Sequence, residues 1–544
     1  MVSRPASVRH KLTPLVVDAL QLEHSIKEPD VYSLFTNANL LGTIAGVVDK
    51  TPTLKVVIYD GPESEIKPGA IDKIKQAQDG GITIMTLDEL IKLGKEHPHE
   101  VTEPPKADTL ATIMYTSGTT GAPKGVLITH GNIVSCVAGV TKLLSNVVRS
   151  GEKYIAYLPL AHIFEFAAEM SFFYVGVPMG YATVKTLTDT NMRNCLGDMR
   201  AFKPTVMVGV PAVWELIRKG ILAKVRAGGA VKSGVFHGAL AAKKLAAKYP
   251  LPFVSSLTDV VVFNTVRQAT GGSLRWALSG GAAISRDTQE FLTTALVTCL
   301  QGYGMTESCA MCAILPPDFM SFGPVGVPSP AIEIKLVDVA EAGYHATNDP
   351  PQGEVWIRGP AVTQGYYKRE EVTRETMAEE GWLKTGDVGQ WNKDGTLSII
   401  DRMKNLVKLA GGEYIALERL EATYKSNPYI ANICVVASTD ANRPMAVCIA
   451  NEAHLRNLVT DRGLGDSKEE LDMLCAKDKV KDAVLKELNA TGKKNGFKPL
   501  EMLQTIVLTA DEWTPQSGLV TAAQKLQRKA IEKHYASEIK KVYP

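Results

Sequence analysis

The sequence predicts an α/β protein in which a large N-terminal part of layered strands and helices, with a β-rich section, is followed by a small α+β C-terminal part. Three observations carry this. Apolar, β-branched runs end in Gly- or Pro-rich turns and pass into helix-compatible segments, the pattern of alternating strands and helices. A β-rich stretch follows around residues 331–358, and past Asp401 short strands mix with charged helical segments. At 544 residues the chain exceeds one compact core, so two domains, 1–400 and 401–544, are expected.

Taken in order, 54–59, 112–115, 205–210 and 274–278 read as strands, and 216–248, rich in Ala, Lys and Leu, as helix. Residues 331–338 and 353–358 read as strands of the β-rich section. In the C-terminal part, 433–437 and 445–449 read as strands and 467–488 as charged helix. Composition, 45% hydrophobic and 22% charged, is that of a soluble globular protein, and a formal charge of +2 argues against a nucleic-acid partner. Eight cysteines lie mostly in apolar runs such as 432–436, as buried free thiols of a reducing compartment do. Cys309-Ala310-Met311-Cys312 has the single C-x-x-C spacing, and without a second ligand pair it reads as core packing. No segment is apolar for long enough to span a bilayer, and the basic start is not followed by a signal-type core. A cytoplasmic location is expected, with peripheral membrane association and homodimerisation left open.

The most informative segment is Tyr115-Thr116-Ser117-Gly118-Thr119-Thr120-Gly121-Ala122-Pro123-Lys124-Gly125-Val126. It follows an apolar strand; its glycines free backbone N–H groups, and its hydroxyls and Lys124 add donors, as a polyphosphate cradle requires. It is not a Walker A loop, because Lys124 is followed by Gly125 rather than Ser or Thr.

This string resembles the phosphate-binding signature of the adenylate-forming enzymes, which include acyl-CoA synthetases, luciferases and peptide-synthetase adenylation domains. Further resemblances follow in that family's order. They are Tyr157-Leu158-Pro159-Leu160-Ala161-His162-Ile163-Phe164-Glu165, residues 203–211, Ser279-Gly280-Gly281-Ala282-Ala283 and Gln301-Gly302-Tyr303-Gly304-Met305-Thr306-Glu307. The long-chain fatty acyl-CoA synthetase branch is most similar, through 381–389 to 395–402, 262–272 and Asp511-Glu512-Trp513-Thr514-Pro515. Ser398 and Thr265 stand where that branch usually has lysine, and Ala522-Ala523-Gln524 departs from its usual turn. Members of the branch carry a sizeable portion before the region that 35–39 resembles, so the resemblance implies a chain shortened at its start.

The resemblance implies an acyl-CoA synthetase/luciferase-like fold and ATP-dependent activation of long-chain fatty acids to acyl-CoA through an acyl-adenylate, with Mg²⁺ as cofactor and CoA as co-substrate. It implies ATP or AMP contacts at Thr116, Ser117, Gly118, Thr119, Thr120, Gly121 and Lys124. Tyr303, Gly281, Gln301 and Gly302 would border the adenine, Asp387 and Arg402 the ribose, and Gly304 and Thr306 would also contact ATP or AMP, while Lys404 and Lys408 match positions that touch nucleotide or stabilise one of the two domain orientations. Thr116 and Glu307 match the metal position, and Lys525, with Thr306 and Glu307, the catalytic one. His162 and Phe166 would border the acyl group. Asp401 matches a hinge about which a mobile C-terminal domain swings, bringing Gly411-Gly412-Glu413 to CoA in exchange for Lys525. Two alternatives remain: a non-catalytic nucleotide- or acyl-binding relative, and an adenylate-forming ligase for another carboxylic acid.

Overall fold

The computed structural model describes residues 19–99, 103–116, 123–189, 192–249, 252–514, 517–521 and 525–543. Ser117, Gly118, Thr119, Thr120 and Gly121 lie outside these, as do Ala522, Ala523 and Gln524.

The layer that positions the site is a seven-stranded sheet. Its order is Val327–Pro328, Ala313–Ile314, Thr298–Tyr303, Trp276–Ser279, Val206–Gly209, Tyr154–Ala156, Met179–Tyr181. The last five are parallel, and the two short strands at the other edge add antiparallel. Parallel strands are covered on both faces and so read as unbroken apolar runs, which is why 205–210 and 274–278 are legible as strands. After Met179–Tyr181 the chain returns to the opposite side of Tyr154–Ala156 with Val206–Gly209. The strand order reverses there, and the crevice outside the carboxyl ends is where open α/β sheets bind ligands.

Around this layer stand a three-stranded parallel sheet (Ser33–Asn37, Val56–Asp60, Thr83–Thr86), the hairpin of Leu110–Thr116 with Lys124–Thr129, and a four-stranded antiparallel sheet. The last comprises Glu333–Val337, Gln352–Arg358, Leu383–Trp391 and Leu397–Arg402, the β-rich section. Past it, Ile430–Val436, Met445–Ala450 and Ile506–Thr509 form a sheet whose two faces pack into clusters drawn from residues 409–543.

The expectation of one helix over 216–248 is corrected. Two helices are present, Pro211–Ala227 and Gly229–Lys248, because Gly229 adopts φ +88° and ends the first run. The earlier start follows from Pro211, whose fixed φ and missing N–H suit the first helical position. Likewise 467–488 divides into Leu471–Ala476 and Asp478–Lys494. Cys309 and Cys312 are buried, and no group of three or more His, Cys, Asp or Glu that could hold a metal exists among the described residues. No described helix is long and apolar enough to cross a membrane.

Candidate active site

The carboxyl ends of the parallel strands supply the floor of the site. Gly280 and Gly281 follow Trp276–Ser279; a Cβ on Gly280 would fall 2.8 Å from the Phe164 ring. Gly304 follows Thr298–Tyr303, where a Cβ would fall 1.5 Å from the Ala310 carbonyl oxygen, so no other residue fits. Gly302 pairs with Ile314 across the antiparallel edge. Thr306 opens the short turn Thr306–Ser308 that carries Glu307.

Tyr303 donates its hydroxyl to Asp387 Oδ2 at 2.7 Å, and Arg402 Nε lies 3.3 Å from Asp387 Oδ1. Asp387 and Arg402 face each other in register across Leu383–Trp391 and Leu397–Arg402, so the sheet itself sets their pairing. Asp387 is buried, and burial pushes its carboxyl up despite the opposing pull of Arg402 and the Tyr303 hydroxyl.

Glu307 is also buried, and its Oε1 accepts the Tyr366 hydroxyl at 2.6 Å. Tyr366 forms a bridge to Val126, and Lys124 Nζ lies 5.5 Å over its ring. Thr116 stands opposite Lys124 in the hairpin, its Oγ1 3.4 Å from the Lys124 carbonyl oxygen. Tyr366 therefore ties the phosphate-loop hairpin to the metal candidate, a role sequence reasoning missed. Its partner is 59 residues away, and no local spacing signals such a pairing.

Lys525 enters from the C-terminal part, its N–H donating to Thr521 Oγ1 at 3.1 Å. Its ammonium is brought down to about 8, first by burial and then by the charge of Arg402, against the attraction of Glu418, Asp387 and Glu307. His162 is brought down to about 4 by burial and by Lys525. It is therefore neutral, and its Nδ1 accepts the Phe164 N–H at 3.3 Å, capping the helix Ile163–Val175. Lys404 is lowered by burial, then by Arg402, with Lys124 adding to the repulsion. The structure thus gathers His162, Glu307, Asp387, Arg402, Lys404 and Lys525 in one electrostatic neighbourhood. Glu418 belongs there too and was not foreseen; it accepts a 2.7 Å hydrogen bond from Asn405 Nδ2.

Asp401 is buried at the end of Leu397–Arg402. Its Oδ1 accepts the Arg402 N–H at 2.7 Å and its Oδ2 the Glu418 N–H at 2.9 Å, at the start of the helix Leu417–Tyr424. Burial, then Glu418, raise its carboxyl to about 7.

Other expected residues stand apart. Gln301 is buried and turns its amide inward, donating to Gln289 Oε1 at 3.0 Å and the Pro324 carbonyl at 3.2 Å. Lys408 is exposed, 5.9 Å over the Tyr414 ring, and Gly411, Gly412 and Glu413 form the exposed tip of the same hairpin, Gly412 at φ +85°. Phe166 packs partly buried on the main core. Behind its helix, an apolar cavity of about 30 Å³ is lined by Val140, Leu144, Ala168, Phe172, Val208 and Leu300 among others.

A family model described as AMP-binding enzyme matches residues 17–367, well over half the chain. The chain belongs to the AMP-binding enzyme family. This AMP-binding enzyme is 42% identical over 525 residues to long-chain-fatty-acid–CoA ligase 2 of Schizosaccharomyces pombe, covering 95% of this chain and 75% of the relative. It is 42% identical to long-chain-fatty-acid–CoA ligase 1 of Saccharomyces cerevisiae, covering 96% and 76%. Relatives of this identity and coverage put the AMP-binding enzyme in the long-chain-fatty-acid–CoA ligase branch. Among solved structures it resembles the adenylation domain of a carboxylate reductase from Mycobacterium chelonae (TM-score 0.79, 24% identity, covering 97% and 75%). It also resembles O-succinylbenzoate CoA synthetase from Bacillus subtilis in complex with ATP and magnesium ion (TM-score 0.57, 19% identity, covering 94% and 91%). At such identities these two establish the shared fold.

Proposed function

We propose that this enzyme activates long-chain fatty acids in two steps at one site, consuming ATP and CoA. The observation that carries this is Lys525, a C-terminal ammonium held among Arg402, Asp387 and Glu307 beside neutral His162. In the first step a carboxylate oxygen attacks the α-phosphorus of ATP, pyrophosphate departs, and an acyl-adenylate remains. Negative charge grows on the α-phosphate oxygens, and Lys525 is the fixed cation that meets it. Asp387 accepts from the ribose hydroxyls, with Arg402 beside it. Glu307 and Thr116, with phosphate oxygens and water, suit Mg²⁺, which takes few protein ligands in nucleotide sites and would neutralise the leaving pyrophosphate.

In the second step the CoA sulfur attacks the acyl carbon, the thiol proton leaves to solvent, and AMP is displaced. The exposed position of Gly411, Gly412 and Glu413 supports a swing of residues 401–544 about Asp401 that brings this tip in and withdraws the lysine. The apolar cavity behind Ile163–Val175 would receive the acyl chain, and the naming of the relatives favours long chains. A reducing, cytoplasmic setting accords with eight free cysteines, all but Cys195 buried.

Purified protein given ATP, Mg²⁺, palmitate and CoA is expected to release pyrophosphate and form palmitoyl-CoA, with Lys525→Ala losing about 10²-fold or more of the first step. Binding of ATP and palmitate without pyrophosphate release would leave a non-catalytic binding protein. Faster release with short or aromatic acids would reassign the substrate.

A further inference from the structure

The helix Gly229–Lys248 is apolar on two faces. Its inner face packs normally: Phe236 meets Phe263 at 5.7 Å and Phe291 at 6.3 Å, ring centre to ring centre. The opposite face repeats at spacings of three and four through Val231, Val235, Gly238, Ala242, Leu245 and Tyr249, without a charge. Val231 is 80% exposed and Leu245 55%. The next helical segment, Pro252–Thr258, continues this surface: Phe253, at 77%, and Leu257, at 53%, lead to Val260, at 74%, on the following turn. The two segments pack side by side. Isolated exposed apolar residues are ordinary, but two adjoining stripes of them are the kind of surface that marks an interaction site.

Charge identifies the occupant. The chain as a whole is nearly balanced, yet from 220 to 258 it holds Lys224, Arg226, Lys232, Lys243, Lys244 and Lys248 and no Asp or Glu. Lys243 pairs with Asp259 and Lys244 with Glu290, whereas Lys232 and Lys248 flank the stripe exposed and with no ion pair among the described residues. A second copy docking on this face would set lysines against lysines with no acidic partner, which argues against a dimer seam. An apolar stripe edged by lysines instead matches an anionic lipid surface, where the side chains enter the acyl boundary and the ammonium groups meet phosphate.

We propose that the outer face of Gly229–Lys248 and Pro252–Thr258 docks this protein on anionic bilayers. The inference does not depend on the ligase reading, and its test needs no ATP, CoA or acid. Full-length protein is sedimented with vesicles of phosphatidylcholine alone or with about one-third phosphatidylserine, at low and high salt. Binding to the mixed vesicles is expected, weakened about tenfold or more on phosphatidylcholine alone and by high salt. Phe253→Ser with Leu257→Ser, and separately Lys232→Gln with Lys248→Gln, are each expected to weaken it about tenfold while leaving the thermal midpoint unchanged, since these positions are exposed. Unaltered vesicle binding by both double variants overturns the proposal. So does a concentration-dependent dimer in sedimentation equilibrium that Phe253→Ser with Leu257→Ser breaks, in a protein that ignores vesicles.

Discussion

In the role proposed for it Lys525 has to carry its charge, and its surroundings drive the proton off. Burial and Arg402 bring it to about 8, so in the free enzyme the ammonium is lost as pH rises through that value. Bound triphosphate adds negative charge and draws the proton back. The expected result is that kcat/KM for ATP falls above about pH 8, because it reports the free enzyme, while kcat holds to higher pH. Lys525→Arg, always charged, is expected to be slower yet to lose the alkaline fall. A wild-type profile flat to pH 10 would remove this role. Asp401 gives a stability prediction of defined sign. Its carboxyl is raised from the ordinary 3.8 to about 7, so the stabilisation present below the lower value is lost as pH rises through the upper one. The thermal midpoint is expected to fall as pH rises from about 6 to 8, and Asp401→Asn, which turns an NH2 towards a backbone N–H that Asp401 accepts, is expected to lower it at pH 5 and to flatten that fall.

Among the elements, the helix Pro211–Ala227 does more than cover the sheet. Lys219 Nζ donates to the Ile430 carbonyl at 2.7 Å, and Arg218 Nη1 donates to Thr288 Oγ1 at 2.7 Å and reaches the Ser426 carbonyl at 3.4 Å. Lys494 adds an ion pair to Asp287 at 3.1 Å. These contacts hold residues 426–494 against the N-terminal part in the arrangement that inserts Lys525. Burial brings Lys219 down to about 8, which marks how far its ammonium is taken from water. Lys219→Met is expected to slow pyrophosphate release about tenfold while sparing acyl-CoA formation from supplied acyl-adenylate. Equal slowing of both half-reactions would mean that the contact serves folding alone.

For the whole molecule, the decisive quantity is the room behind Ile163–Val175. About 30 Å³ accommodates roughly two waters, far less than a long acyl chain. A chain entering there has to part the helices Ile163–Val175 and His130–Leu143 from the sheet, so acyl length should be felt as packing. Ala168→Leu fills the cavity from its helix side and is expected to shift kcat/KM towards shorter acids, read across a series from octanoate to stearate. An unmoved ranking in a protein of normal thermal midpoint would take the acyl chain elsewhere.

The sequence by itself determined the layered α/β class, most of its strands, and the residues that carry charge and glycine at the crevice. Short motifs such as 115–126 and 301–307 are local, and their chemistry is legible without neighbours. It also made Gly304 obligatory in type, though the reason, the Ala310 carbonyl, became visible only in the fold. Tertiary structure alone decided which groups meet. Tyr303 finds Asp387 across 84 residues and Tyr366 finds Glu307 across 59, while Gln301, in the same motif as both, turns away to Gln289. It also decided the charge states of His162, Asp401 and Lys525. Burial and the field of distant charges set those, and neither quantity is a property of a residue and its sequence neighbours.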